Sequence, residues 1–201
     1  MRIRSGVRDD VPLVLAFGDE AVAWMNARGN TQQWGTEPWT GNAKREAMFL
    51  ECVDSGGMRI LEDEDGTPLG VLVITEQRKE YAAPVDEREL YVGFLISSRA
   101  HAGRGVGRAL IERAKQEAAE REIDLIRVDC WAGEEGKLVS VYEGYGFSRV
   151  QEFTVGEWPG MLLAMRLPEL GAELGAGQRS AQQRPAQRLA GNTTAGSALR
   201  A

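Results

Sequence analysis

The residues of this chain best suited to hold a charged group lie in Gly103-Arg104-Gly105-Val106-Gly107-Arg108. Glycine lets backbone N–H groups come close to a ligand. Beyond the turn, Leu110, Ala114 and Ala118 recur every fourth residue among charges, which predicts a helix over about 105–121. A helix opening from such a turn presents unpaired N–H groups and the positive end of its dipole. That combination suits an anion, most often a phosphate. Arg104 and Arg108 sit in or beside the first helical turn, where a cation is disfavoured unless an anion is bound there. Two solvated arginines beside a tight turn are the plainer alternative; the anion site is the reading adopted. Two familiar phosphate patterns fail on single residues. G-x-G-x-x-G started at Gly103 meets Arg108 at its third glycine, and started at Gly105 it meets Leu110. G-x-x-x-x-G-K-[ST] does not occur.

A third pattern fits. Ala102-Gly103-Arg104-Gly105-Val106-Gly107 resembles the [RQ]-x-x-G-x-[GA] motif of the GNAT superfamily of acyl-CoA-dependent N-acyltransferases, with Ala102 where Arg or Gln is usual. Downstream, Val141-Tyr142-Glu143-Gly144-Tyr145-Gly146-Phe147 is similar to that family's L-Y-x-x-x-G-F. Glu135 stands seven residues before Tyr142, where the family often carries Asn. The resemblance implies an acetyl group moving from acetyl-CoA to a primary amine of a small molecule or peptide, by direct attack and without a metal. It implies that Tyr142 points to the thioester sulfur and that the pantetheine arm meets backbone groups near Leu95, Ile96 and Ser97. It also places the pyrophosphate on the turn and the amides after it, Gly103, Arg104, Gly105, Val106, Gly107, Arg108 and Ala109. A core aromatic at a helix end is the alternative for Tyr142. An acetyl-CoA sensor or non-catalytic subunit, or a transferase of another acyl group, are the competing functions.

The implied chemistry suits these groups. A departing thiolate, whose thiol titrates near about 8.5, benefits from a proton that a tyrosine of ordinary pKa near about 10 can donate. Holding both reactants in one groove supplies effective concentration, so no covalent enzyme intermediate is needed. The base that takes the amine's proton is left open among Glu89, Asp129, Glu37 and a water chain. A polar loop, residues 30–41, carries Trp34, Glu37 and Trp39. Its rings either pin it to the core or, with Trp158, wall an acceptor pocket suited to a cation. Cys130 as a nucleophile would want a histidine, and the single histidine, His101, lies beside the glycine turn. Cys130 therefore reads as a buried thiol and His101 as a solvent-facing turn residue.

Elements that could position these groups follow from periodicity and punctuation. An opening strand at residues 3–8 precedes a helix, capped by Asp9 or Asp10, with an apolar stripe of Leu13, Val14, Phe17, Ala21, Trp24 and Met25. Asn42 caps a second helix through Val53. Residues 58–61 and 67–75 form a hairpin, and 77–88 a charged, mobile connection. Residues 90–96 are a strand buried on both faces. After the helix from the glycine turn come a strand from Leu125, a short helix over 138–143 and two strands, 147–155 and 161–167, joined by 156–160. This order matches the GNAT arrangement over residues 1–167. The resemblance thus implies an α/β (α+β) fold, a mixed and mostly antiparallel sheet flanked by helices, with central strands splayed into a CoA groove. Residues 168–201 contain no aromatic side chain and read as a disordered tail rich in Ala, Gly, Gln and Arg.

Composition bounds the rest. With 201 residues, 43% of them hydrophobic, one core is expected. A net charge of −6 argues against nucleic acid as a partner. No apolar run approaches the roughly 20 residues of a membrane span, and Met1 to Gly6 lack a signal peptide's apolar core. A cytoplasmic location is expected. The oligomeric state is left open, a homodimer included.

Overall fold

The computed structural model describes residues 1–168; the tail expected over 168–201 lies, from Glu169 onward, outside the described residues. Along the chain the elements are β1 (Arg2–Ser5), α1 (Val11–Asn26), α2 (Ala43–Asp54), β2 (Met58–Glu62), β3 (Pro68–Thr75) and β4 (Glu89–Ser97). After these come α3 (Val106–Glu120), β5 (Leu125–Trp131), α4 (Gly133–Gly144), β6 (Ser148–Val155) and β7 (Trp158–Arg166). The seven strands form one sheet in the order β1-β2-β3-β4-β5-β7-β6. Every pairing is antiparallel except β4 with β5.

That parallel pair decides where a ligand can enter. Its register runs from Glu89 opposite Leu125 to Val92 opposite Val128 and stops there. Beyond it β4 pairs only with β3, and β5 only with β7. Gly93 is the extra residue of a bulge at this point, since Val73 faces Phe94 while Ile74 faces Val92. A bulge re-aims a strand and ends its pairing. The backbone edge of β4 from Gly93 to Ser97 is therefore left without a β5 partner.

Two apolar clusters cover the two faces of the sheet. On one, Leu110, Ile111, Ala114 and Ala118 of α3 pack on Leu90, Val92, Ile126 and Val128, joined by Tyr142 and Phe147. On the other, α1 and α2 pack through Val14, Phe17, Val22 and Phe49 onto Ile60, Val71 and Val73. Trp39 belongs to this second cluster at 2% exposure. Its indole lies against Gly18 of α1, where an added Cβ would come within 2.1 Å of the ring. Asp19 accepts from the N–H groups of Trp39 and Thr40 and holds the loop in place.

Local chemistry explains the element ends, with some departures from expectation. The Asn42 side chain accepts from Lys44 N and Arg45 N, both at 3.1 Å, as a cap should. Asp10 occupies the N-cap position of α1, but its carboxylate is drawn away by the Arg4 guanidinium at 2.7 Å and the Val7 N–H at 2.8 Å. β2 runs on to Glu62, which lies opposite Arg2 on one side and Pro68 on the other, and its carboxylate pairs with both Arg2 and Arg4. Trp158 and Pro159, expected in a loop, belong to β7 with Trp158 opposite Val155, so the turn is only Gly156-Glu157. Residues 77–88, expected to be mobile, are tied down by Arg127 Nη1 donating to Ala83 O at 2.8 Å and by Tyr81 against Asp129.

Candidate active site

A cavity of about 610 Å³ opens at the point where β4 and β5 part. Leu95, Ile96 and Ser97 line it from β4, and Gly103, Gly105, Val106 and Gly107 from the turn and the start of α3. Leu138, Val141, Tyr142 and Tyr145 of α4 close one side, while Trp24, Met25, Gln33 and Trp34 close the other. Trp131 and His101 also line it, with Arg99, Glu134 and Lys137, so His101 is half-buried at the cavity and not a free turn residue.

The turn is built as its glycines suggest. Gly103 and Gly105 have φ of 82° and 76°, a left-handed conformation that only glycine adopts cheaply. Gly105 is the N-cap of α3 and has no side chain to cap with. The Ala109 N–H bonds to Gly105 O at 3.0 Å and is thus committed to the helix. The helical amides left over are those of Val106, Gly107 and Arg108, at the positive end of a 15-residue helix with no acid in its first turn. Arg104 is exposed and makes no ion pair among the described residues. Arg108 instead donates to Gly144 O at 2.9 Å and lies over the Tyr145 ring, tying α3 to the end of α4.

Tyr142 lines the cavity from the helical part of α4, which begins after Glu134, Glu135 and Gly136, all with positive φ. It is 7% exposed and packs edge-on against Tyr145 and Phe147. Burial raises its pKa above the ordinary tyrosine value, and the neighbouring Cys130 and Asp129 raise it further. The phenol is therefore a proton donor throughout the neutral range. Cys130 sits on the same face of β5, its thiol pushed up to about 12, chiefly by burial and then by the Asp129 charge. A thiol so placed is inert at neutral pH.

The carboxylates considered as bases fare differently. Glu89 is buried and locked in a two-pronged ion pair with Arg127. Glu37 is exposed and is not among the cavity's lining residues. Asp129 lies at the first β5 residue past the β4 pairing and accepts from Tyr91 Oη at 2.5 Å and Tyr81 Oη at 3.1 Å. Of the tryptophans, Trp34 reaches the cavity, while Trp39 is in the core with its ring 4.8 Å from that of Trp34. Trp158 is half-buried beside Trp131, and its Nε1 donates to Gln33 O at 2.9 Å. Trp24, assigned to the apolar stripe of α1, is instead 38% exposed at the rim, between the guanidiniums of Arg28 and Arg99 at 4.2 and 3.8 Å. The Tyr81 and Tyr91 pair on Asp129 was not foreseen. Tyr91 lies in the strand read as buried on both faces, and nothing local links residue 81 to residue 129.

The family model for the acetyltransferase (GNAT) family matches residues 13–147. The chain belongs to the GNAT acetyltransferase family. Solved structures agree in fold. A GNAT acetyltransferase from Listeria monocytogenes is 19% identical with a TM-score of 0.66, covering 83% of this chain and 94% of its own. A ribosomal-protein-alanine N-acetyltransferase from Brucella melitensis is 20% identical with a TM-score of 0.58, covering 83% and 100%. The Salmonella typhimurium protein yncA, solved with acetyl-CoA, is 18% identical with a TM-score of 0.58, covering 85% and 96%. Among curated proteins no significant sequence match is found. As a GNAT acetyltransferase the protein is an enzyme of acyl transfer, and the family acts on amine acceptors. Its sheet is the mixed, mostly antiparallel one expected from the sequence. Among the described residues no cluster of three or more His, Cys, Asp or Glu side chains could hold a metal ion, and no helix is long and apolar enough to cross a membrane.

Proposed function

We propose that the protein transfers the acetyl group of acetyl-CoA to a primary amine of a small molecule or peptide, by direct attack with both substrates bound. One observation carries this reading: a free helix N-terminus, an unpaired strand edge and a buried tyrosine all open onto one cavity. The amides of Val106, Gly107 and Arg108 hold the pyrophosphate, helped by the Arg104 side chain. The free β4 edge at Leu95, Ile96 and Ser97 takes the amide-rich arm of the donor. The donor supplies a thioester, an acyl group on a good leaving sulfur. Tyr142 gives its proton to that sulfur as the C–S bond breaks and the N–C bond forms, and solvent restores it. Of the bases considered, Asp129 and water remain as the path for the amine's proton.

The testing experiment follows CoA release with a panel of amines, alongside thermal-shift comparison of acetyl-, propionyl- and succinyl-CoA. Turnover with a primary amine and the largest shift from acetyl-CoA are expected. Tight acetyl-CoA binding without turnover on any amine would instead favour a sensor, and a larger shift from a longer acyl-CoA another donor. Cytoplasmic action on a soluble amine fits a chain of net charge −6.

A further inference from the structure

The Asp129 carboxylate is matched by no cationic side chain among the described residues. It is half-buried, accepts only from two phenols, and is in no ion pair among the described residues. The arginine two positions earlier, Arg127, is spent on Glu89. Burial, then the Asp129 charge, raises the pKa of both Tyr81 and Tyr91, so both remain donors. They occupy two of the about four lone-pair directions of the carboxylate and leave the others free. A part-buried charge left without a cation is costly unless a ligand supplies one.

The surroundings define that ligand. Strand register puts Asp129, its partner Leu162 and Trp131 on the face of the sheet opposite Tyr142. Trp131 also lines the main cavity, so the two faces meet where β4 and β5 diverge. On the Asp129 side the Tyr81 ring stacks on Phe153 at 4.5 Å, Phe153 lies 6.1 Å from Trp158, and Trp158 lies 5.5 Å from Trp131. A row of four rings thus runs from the phenol that holds Asp129 to Trp131 at the cavity.

We infer that Asp129, oriented by Tyr81 and Tyr91, receives the ammonium group of the acceptor, and that the Tyr81–Phe153–Trp158–Trp131 row accommodates an apolar, aromatic body carrying it. This rests on the amine-acetyltransferase reading above and assigns the acceptor class: a cationic arylalkylamine. Asp129 touches the substrate; Tyr81 and Tyr91 are positioning residues.

The test compares benzylamine, cationic at pH 7.5, with aniline, neutral at that pH, in the wild type and in Asp129→Asn, which keeps a hydrogen-bond acceptor but loses the charge. The ratio of kcat/KM for benzylamine over aniline is expected to fall by about tenfold or more, through KM for benzylamine, as expected when one partner of a desolvated charge pair is lost. The thermal shift caused by acetyl-CoA should be unchanged. Tyr81→Phe, which removes one orienting donor and keeps the ring, should move the ratio the same way by a smaller factor, and it stands in should Asp129→Asn fail to fold. A ratio unchanged in the variant that folds would overturn the assignment. If the wild type releases no CoA with any amine, the acetyltransferase reading fails separately. Benzylamine-induced thermal shift, present in the wild type and lost in Asp129→Asn, would still support the ammonium site, and its persistence in the variant would refute it.

Discussion

Replacing Arg127 by Met should expose how much of the active site rests on one buried ion pair. Arg127 and Glu89 side chains are only 2% and 5% exposed and meet through two parallel hydrogen bonds. Methionine fills most of the space but leaves the Glu89 carboxylate buried without a cation. Losing one member of such a pair costs about 3–5 kcal/mol, a large fraction of the roughly 5–15 kcal/mol that holds a domain together. For a domain of this size the corresponding fall in Tm is roughly 6–20 °C. Arg127 also donates to Ala83 O, so the 76–88 segment that carries Tyr81 loses its tether. Thermal melts and steady-state kinetics read the two effects together: Tm falls, KM for the amine rises, and the acetyl-CoA thermal shift keeps its size. The double variant Glu89→Leu, Arg127→Met should recover most of the stability, because a hydrophobic pair of similar volume replaces the charges without a desolvation cost. An acceptor KM unchanged in Arg127→Met would refute the claim that the bond to Ala83 O positions Tyr81. A single-variant cost below about 1 kcal/mol, the range of exposed pairs, would refute the claim that Glu89 is desolvated and spoken for.

Tyr142→Phe should lower kcat by about 100-fold or more with acetyl-CoA affinity retained, and because the Tyr142 pKa is raised, the wild-type rate should show no alkaline fall below about pH 10. Gly18→Ala should destabilise by about 1–3 kcal/mol in chemical denaturation, since the added Cβ collides with the Trp39 ring; an unchanged midpoint would mean that Trp39 is not seated there. Iodoacetamide at pH 8 should leave Cys130 unmodified in the native protein, its thiol titrating at about 12, and label it only on unfolding; rapid native labelling would revive it as a nucleophile. Burial pushes the Glu117 carboxyl up, but Arg59 and Arg113 pull harder and leave its pKa below the ordinary value. Its stabilisation is therefore full above about pH 4.3 and lost as pH falls through the folded value; Glu117→Gln should flatten the acid side of the stability curve, and an unaltered slope there would contradict this assignment.

The glycine turn, the helix that follows it and the tyrosine at the cavity were legible in the chain itself because their information is local. Gly103 and Gly105 announce a left-handed turn, the spacing of Leu110, Ala114 and Ala118 announces the helix that follows, and Tyr142 is marked by the Gly146-Phe147 that ends its own helix. Backbone conformation and helical periodicity depend on neighbours a few positions apart, which a sequence displays directly. The end of the β4–β5 pairing at Val92 and Val128 was decided by a bulge at Gly93, which alternation along β4 alone does not reveal. The surroundings of Asp129 and the tryptophans are tertiary throughout. Tyr81 and Asp129 are 48 positions apart and Trp158 and Gln33 are 125 apart, and Trp39, expected either in the core or in a pocket wall, lies in the core because Gly18, on another element, leaves room for an indole. Asp129, one of four unranked candidates for the base, was singled out only when the fold spent Glu89 on Arg127, left Glu37 exposed away from the cavity, and gave the Asp129 carboxylate phenols alone.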